Sequence, residues 1–511
     1  MKKFKMPTSY TVVFFALLVA TVLSYFVPQS HFDSETGKII VNSVVDANGN
    51  ILEGQGLVQF GLFDVLMSIV HGFESSSNVS VGILCAGGFL AVLNHVEALE
   101  AAIISLLNKF KGNVLIALMM LVFAILGTTF GFWEEITAFA VVIIPMFVLA
   151  GYDIMTGLAI LFIGATIGNM ASLVNPFSVG AAVAAIGNPD LTIGSGIILR
   201  SIIFVVLYLI GTFMVIQYAS KVKDDPKKSI IYDLEDKNNL MDVEATPPEF
   251  TGKRKASAYV LVAVIILIVL GNFPWERLLG ESAMNAVNAP ITFLAGIPVL
   301  GDLLGAGHFT LLGDWGFSEF AFTFLLGAFV LKFINKIPER EFMHVFMDGM
   351  KDLMGVVVVL AISRGIATMV GTSTQGMSVT FIYWLSSALE GVPLWVFGIM
   401  AVLVYALIGI FLQSTSGVAG LSMPILGTVA AALFLGTAIG EVGGQILLIS
   451  AFVAGVNFLS SFYPGAVIMG TLDLVNVPYD RYLKFAMKTL CMLLFAAALI
   501  IAIAPYIGIV S

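Results

Sequence analysis

The chain has 511 residues, of which 59% are hydrophobic and only 11% are charged, with a net charge of −9. That much apolar surface excludes an ordinary soluble globule, and the acidic balance excludes a basic surface for nucleic acid. Cys85 and Cys491 stand far apart in apolar runs and the five histidines are scattered, so neither a disulfide framework nor a metal-ligand cluster is expected.

The opening MKKFKMPTSY is basic, and the apolar run after it is long and lacks a small-residue cleavage site. The pattern predicts a retained first membrane span over 8–27, not a signal peptide. A span needs about 20 apolar residues. By that measure further spans are expected over 78–95, 155–186, 195–220, 258–277, 315–334, 355–372, 445–475 and 484–508. Segments 60–74 and 337–352 read as interfacial helices. Runs 113–150 and 394–436 are expected to form two re-entrant hairpins. The fold class expected is an all-α polytopic membrane protein.

Lys and Arg cluster at Lys2–Lys5, at Lys109 and Lys111, and within 221–255, 332–351 and 481–488, whereas loops 28–57 and 278–312 hold Lys38 as their only Lys or Arg. By the positive-inside rule the clusters face the cytoplasm and the two loops face outside. The N-terminus is then inside and the C-terminus outside. Residues 221–257 read as a cytoplasmic linker between halves 1–220 and 258–511.

The halves resemble each other. Glu134 stands eleven residues before Pro145, and Gln413 eleven before Pro424. Aligning Pro176 with Pro464 also aligns Asn169 with Asn457 and Ser172 with Ser460. HGFESSSNVSVGILCAGG answers DGMKDLMGVVVVLAISRG. Matches in one order at nearly constant offset predict a repeat. The first hairpin is preceded by Lys109 and Lys111, while the second has no such bases, so the repeats are expected to be inverted.

Irregular backbone in a membrane is tolerated only where protein or a wet cavity covers it. Four such places are expected: hairpin tips at Phe132–Thr137 and Gln413–Gly417, and breaks at Ser172–Ser178 and Ser460–Gly465. Proline breaks the helical ladder at each later break, because it lacks an N–H and crowds the preceding turn. The candidate binding residues are Trp133, Glu134, Glu135, Thr137, Asn169, Ser172, Asn175 and Ser178 from one half. The other half supplies Gln413, Ser414, Thr415, Ser416, Asn457, Ser460, Ser461 and Tyr463. A single Ser or Thr here often serves only to pack helices. Asn94, His95, Glu97 and Glu100 read as an interfacial helix, and Arg200 as a side chain snorkelling to an interface.

Glu134 and Glu135 have no base within ten residues on either side. A mid-membrane acid costs about 2.5–3.5 kcal/mol even on the lenient insertion scale. Either Arg364 pairs with one of them, or a cationic substrate, sodium or a proton does.

The stretches GTTFGFWEEITAFAVVIIPM and GATIGNMASLVNPFSVGAAVAAIGNP resemble the YfcC-type branch of the C4-dicarboxylate anaerobic carrier (DcuC) family, over nearly the whole chain. The resemblance implies two inverted repeats, each with a re-entrant hairpin, a scaffold domain with a mobile transport domain, an elevator movement, homodimers and a bacterial cytoplasmic membrane. Related dicarboxylate carriers bear Ser-Asn-Thr at both tips. Here QSTSG is close to that motif, but Trp133, Glu134 and Glu135 replace it at the first tip. The branch implies carriers of basic amino acids, including arginine/ornithine exchangers. An antiporter of basic amino acids is the expected function. A proton- or sodium-coupled carrier of small carboxylates is the alternative. No nucleophile motif or nucleotide-binding glycine loop points to an enzyme, and no cofactor is expected beyond that coupling ion.

Overall fold

The computed structural model describes residues 9–33, 38–46, 51–133, 136–234, 248–273, 275–313, 315–371, 375–388, 393–411, 415–464 and 466–510. Helices dominate. In chain order the first half holds α1 (Ser9–Leu23), α2 (Leu62–Ser75), α3 (Ser77–His95), α4 (Ala98–Lys109), α5 (Gly112–Phe130), α6 (Ile136–Leu149), α7 (Ile154–Ala171), α8 (Ala181–Ile186) and α9 (Ile197–Asp224). Then come α10 (Gly252–Gly271), α11 (Trp275–Leu279), α12 (Glu281–Ala295), α13 (Leu300–Leu304), α14 (Phe317–Asn335) and α15 (Glu339–Val370). The last are α16 (Met377–Ala388), α17 (Leu394–Phe411), α18 (Thr415–Phe434), α19 (Gly440–Ser460), α20 (Ala466–Leu474) and α21 (Tyr479–Ile507).

Among the described residues, nine helices are long and apolar enough to cross a membrane: α3, α5, α7, α9, α10, α14, α15, α19 and α21. The chain is a multi-pass membrane protein. The membership of this set differs from the sequence expectation: α5 qualifies, whereas the described part of α1, Ser9–Leu23, has 15 residues. Segments 337–352 and 355–372 were expected to be an interfacial helix and a separate span. They are instead one 32-residue helix, α15. No proline interrupts 339–370, so the backbone ladder has no reason to stop where the charged face gives way to the apolar one.

The sequence reading expected no strands. Short ones form in the first long loop: β1 (Ser30–Asp33), β2 (Lys38–Ile40), β3 (Ser43–Val45) and β4 (Ile51–Glu53). β1 also pairs with β5 (Gln375–Gly376), and Ser30 Oγ lies 2.6 Å from Thr380 Oγ1. The loop is thereby fastened to β5 and the first turn of α16.

α7 and α19 form the centre. Every residue of α7 is buried, as is nearly all of α19, and the two pack on each other. α5 and α6 pack on α7, and α17 and α18 pack on α19. Glycine lets the pairs approach closely, as is common between membrane helices. A Cβ on Gly168 would collide with the Ala124 carbonyl of α5, and one on Gly455 would stand 2.5 Å from the Val402 carbonyl of α17.

α15 lies along α2 and α3. A Cβ on Gly72 would collide with the Ala361 carbonyl, and one on Gly349 with the Gly87 carbonyl. In the repeat alignment Gly72 matches Gly349 and Gly88 matches Gly365. The contacts therefore cross: the start of one segment meets the end of its counterpart, at both ends.

Candidate functional site

α7 ends at Ala171, where Ser172 takes a left-handed backbone with φ of 40°. The chain resumes as a π-helical turn, Pro176–Gly180, that runs into α8. Asn175 precedes Pro176 and caps this turn, its Oδ1 accepting from Phe177 N at 2.9 Å. That is the expected role of Asn before an N-terminal proline. In the other half α19 ends at Ser460 and α20 begins at Ala466, with Tyr463 and Pro464 between.

The backbone opened at the first break is held by side chains. Thr128 Oγ1 accepts from Leu173 N at 2.8 Å. Ser172 Oγ donates to the Asn169 carbonyl at 2.6 Å, and Ser178 Oγ donates to Ser172 Oγ at 2.9 Å. Arg200 is fully buried and donates to the carbonyls of Leu173 at 3.0 Å, Ile193 at 2.7 Å and Ser195 at 2.7 Å. The expected snorkelling is thus corrected. The loop after α8 folds over Arg200, and its carbonyls solvate the guanidinium in place of water. Arg200→Gln is expected to leave these carbonyls short of donors, at about 1–3 kcal/mol each. Thermal unfolding in detergent should show a lowered midpoint.

Two asparagines link the halves. Asn169 Nδ2 donates to the Phe132 carbonyl of the first tip at 3.2 Å, and Asn457 Nδ2 donates to the Asn169 carbonyl at 2.7 Å. Gly131 ends α5 with φ of 69°, and a Cβ there would stand 2.9 Å from Asn175 Nδ2. Only glycine suits both the backbone and the space.

These elements surround a cavity of about 800 Å³. One wall is polar: Asn169, Asn175 and Ser178 of the first break, Thr415 and Ser416 at the start of α18, and Asn457, Ser460 and Tyr463 of the second break. Trp133 lines it at the first tip and packs on Phe162, with ring centroids 5.9 Å apart. The opposite wall comes from α3 and α15 and carries Asn94 and Asp352. Among the described lining residues, Asp352 is the single acid, and there is no Lys, Arg or His.

Nine of the sixteen candidate binding residues therefore line one space. Three do not. Thr137 Oγ1 is engaged by Thr471 Oγ1 of α20 at 2.9 Å. Ser172 is buried within the first break, and Ser461 is buried against Thr166 and the Tyr482 hydroxyl. Glu134, Glu135, Gln413 and Ser414 lie outside the described residues. Arg364 lies against Gly187 at the end of α8, about 12 Å along α15 from the cavity-lining Val356. It forms no ion pair among the described residues.

Asn94 and Asp352 were not expected here. Asn94 was read with an interfacial helix, and its neighbours do sit at the surface: His95 meets Glu341 at 3.0 Å, and Glu97 meets Arg254. Helical phase turns Asn94 away from them into the cavity.

The profile of the C4-dicarboxylate anaerobic carrier (DcuC) family matches residues 6–506. The chain belongs to this family. A Haemophilus influenzae relative, described only as an uncharacterized protein, is 26% identical over a 547-residue alignment that covers 98% of this chain and 97% of the relative. An Escherichia coli relative, described as "Putative basic amino acid antiporter YfcC", is 25% identical and is covered over 98% of its length by 99% of this chain. Two solved transporters share the fold. Alcanivorax borkumensis YdaH superposes with a TM-score of 0.63 at 15% identity, over 98% of this chain and 99% of that one. Neisseria gonorrhoeae MtrF superposes with a TM-score of 0.61 at 17% identity, over 98% and 95%. This DcuC-family protein is a membrane transporter.

Proposed function

We propose that this transporter is an antiporter of basic amino acids such as arginine and ornithine in the bacterial cytoplasmic membrane. The observation that carries the reading is the charge of the cavity. Its described lining has one acid and no base, and Trp133 in that lining is followed directly by Glu134 and Glu135. A guanidinium finds carboxylates with which it can form paired hydrogen bonds, and an indole on which to stack. The substrate's α-carboxylate is left for Thr415 and Ser416, where the start of α18 supplies N–H groups and the positive end of the helix dipole. A doubly negative substrate would meet these acids with no Lys, Arg or His among the described lining residues to offset them. The description of the E. coli relative agrees with this reading.

The mechanism proposed is an elevator built on inverted repeats 1–220 and 258–511, joined by the linker 221–257. The re-entrant hairpins 113–150 and 394–436 and the broken helices 155–186 and 445–475 form the moving body. Support comes from the crossed contacts of α15 with α2 and α3, which a two-fold axis in the membrane plane would generate. The family resemblance supports a homodimer, and the bases near α4, α10 and α15 support a cytoplasmic orientation of that face.

The family's dicarboxylate description supports a second reading, in which the glutamates hold a coupling proton or sodium ion and the substrate is a small carboxylate. Purified protein in liposomes preloaded in turn with arginine, ornithine, succinate and acetate separates the two. Labelled arginine should enter only vesicles loaded with arginine or ornithine. Uptake of succinate without arginine uptake would establish the second reading.

A further inference from the structure

Several acids on the basic face are matched. Asp348 meets Lys351 at 2.7 Å and His344 at 2.8 Å, Glu341 meets His95, and Glu97 meets Arg254. Asp352 differs. It is exposed, lines the cavity and forms no ion pair among the described residues, and Lys351 beside it is turned to Asp348.

The wall that carries Asp352 is also distinctive. The glycine contacts of Gly72 and Gly349 lock α15 to α2 and α3 at near backbone contact. None of these helices bears a tip or a break. If the broken helices move, Asp352 stays behind. Asn94 lies near the end of α3 where His95, Glu341 and Arg254 gather, and Asp352 follows Lys351 at the point where the charged first part of α15 gives way to its apolar part.

Resting on the basic-amino-acid reading above, we infer that Asp352 captures substrate on the cytoplasmic side only. Its carboxylate takes the guanidinium or ammonium end of an arriving basic amino acid. The contact breaks when the opposite wall carries the substrate outward. A residue that travels with the substrate would affect both faces equally. Asp352 would affect one.

The test compares arginine exchange in everted vesicles, which present the cytoplasmic face, with exchange in right-side-out vesicles. Losing one charge-assisted hydrogen bond corresponds to about ten- to hundredfold in affinity. Asp352→Asn should raise the half-saturating arginine concentration by that factor in everted vesicles and by less than about twofold in right-side-out ones. Asp352→Glu should recover most of the loss. Competition by citrulline, which lacks the cation, should not change in Asp352→Asn. An unchanged arginine affinity, or an equal shift on both faces, overturns the inference while leaving the basic-amino-acid reading intact. If wild-type vesicles of both kinds carry neither arginine nor ornithine, that reading fails and the capture role falls with it.

Discussion

Glu134→Gln or Glu135→Gln is expected to weaken arginine binding by two orders of magnitude or more in at least one of the two variants. Glutamine keeps the shape and hydrogen-bonding reach of glutamate and removes only the charge. Breaking a buried charge pair typically costs about 3–5 kcal/mol, because the remaining charge is stranded. That corresponds to two to three powers of ten in affinity, or more. Titration of purified wild-type and variant protein with labelled arginine reads the effect directly. The alternatives leave different marks. If the glutamates hold a coupling ion, the same changes alter the pH or sodium dependence of carboxylate uptake. If one of them only neutralises Arg364, its loss lowers thermal stability, and Arg364→Gln partly restores it. Arginine affinity unchanged in both single variants would remove the main physical reason for preferring a cationic substrate.

The legible part of the site followed from rules that act locally. Asn175-Pro176 and Tyr463-Pro464 marked the breaks because proline removes a donor wherever it stands, and α7 and α19 end within a few residues of them. Trp133, Asn169, Asn457 and Thr415 could be gathered from sequence because matched positions in two similar halves point to one place. Partners set by long-range packing were not legible. Asn457 donates to the carbonyl of a residue 288 positions earlier, and no local pattern announces that. Arg200 looked interfacial because carbonyls brought over it by a returning loop cannot be read from its neighbours in the chain. Asp352 was hidden among His344, Asp348 and Lys351, which together resemble an ordinary solvated face. Which of those charges looks into a cavity is decided by the way α15 packs on α3. The strands of the first long loop are a different miss. Asn48-Gly49 between Ser43–Val45 and Ile51–Glu53 is a recognised hairpin signal, but the polar composition led the segment to be read as plain loop.

Cross-linking the first break to α14 is expected to stop exchange altogether. Gly180 closes the π-helical turn that would move, and Phe317 opens α14, which packs with α3 and α10 on the opposite side. A Cβ on Gly180 would stand 3.2 Å from the Phe317 ring, so cysteines at the two positions fall within reach of a short bis-maleimide. Gly180 has no left-handed backbone requirement, so a cysteine there is not strained by conformation. The pair is made in a background without Cys85 and Cys491, the two native thiols. A reagent with a reducible spacer should abolish arginine exchange, and dithiothreitol should restore it. The comparison is Thr137→Cys with Thr471→Cys, whose parent hydroxyls lie 2.9 Å apart on α6 and α20. Both of those helices belong to the proposed moving body, so that disulfide should leave the exchange rate near that of the reduced protein. Loss of exchange in both pairs would mean that any rigid link is harmful and would carry no information about direction of movement. Exchange that survives a complete Gly180–Phe317 link would show that the broken helix does not travel past α14, and the assignment of moving parts would be wrong.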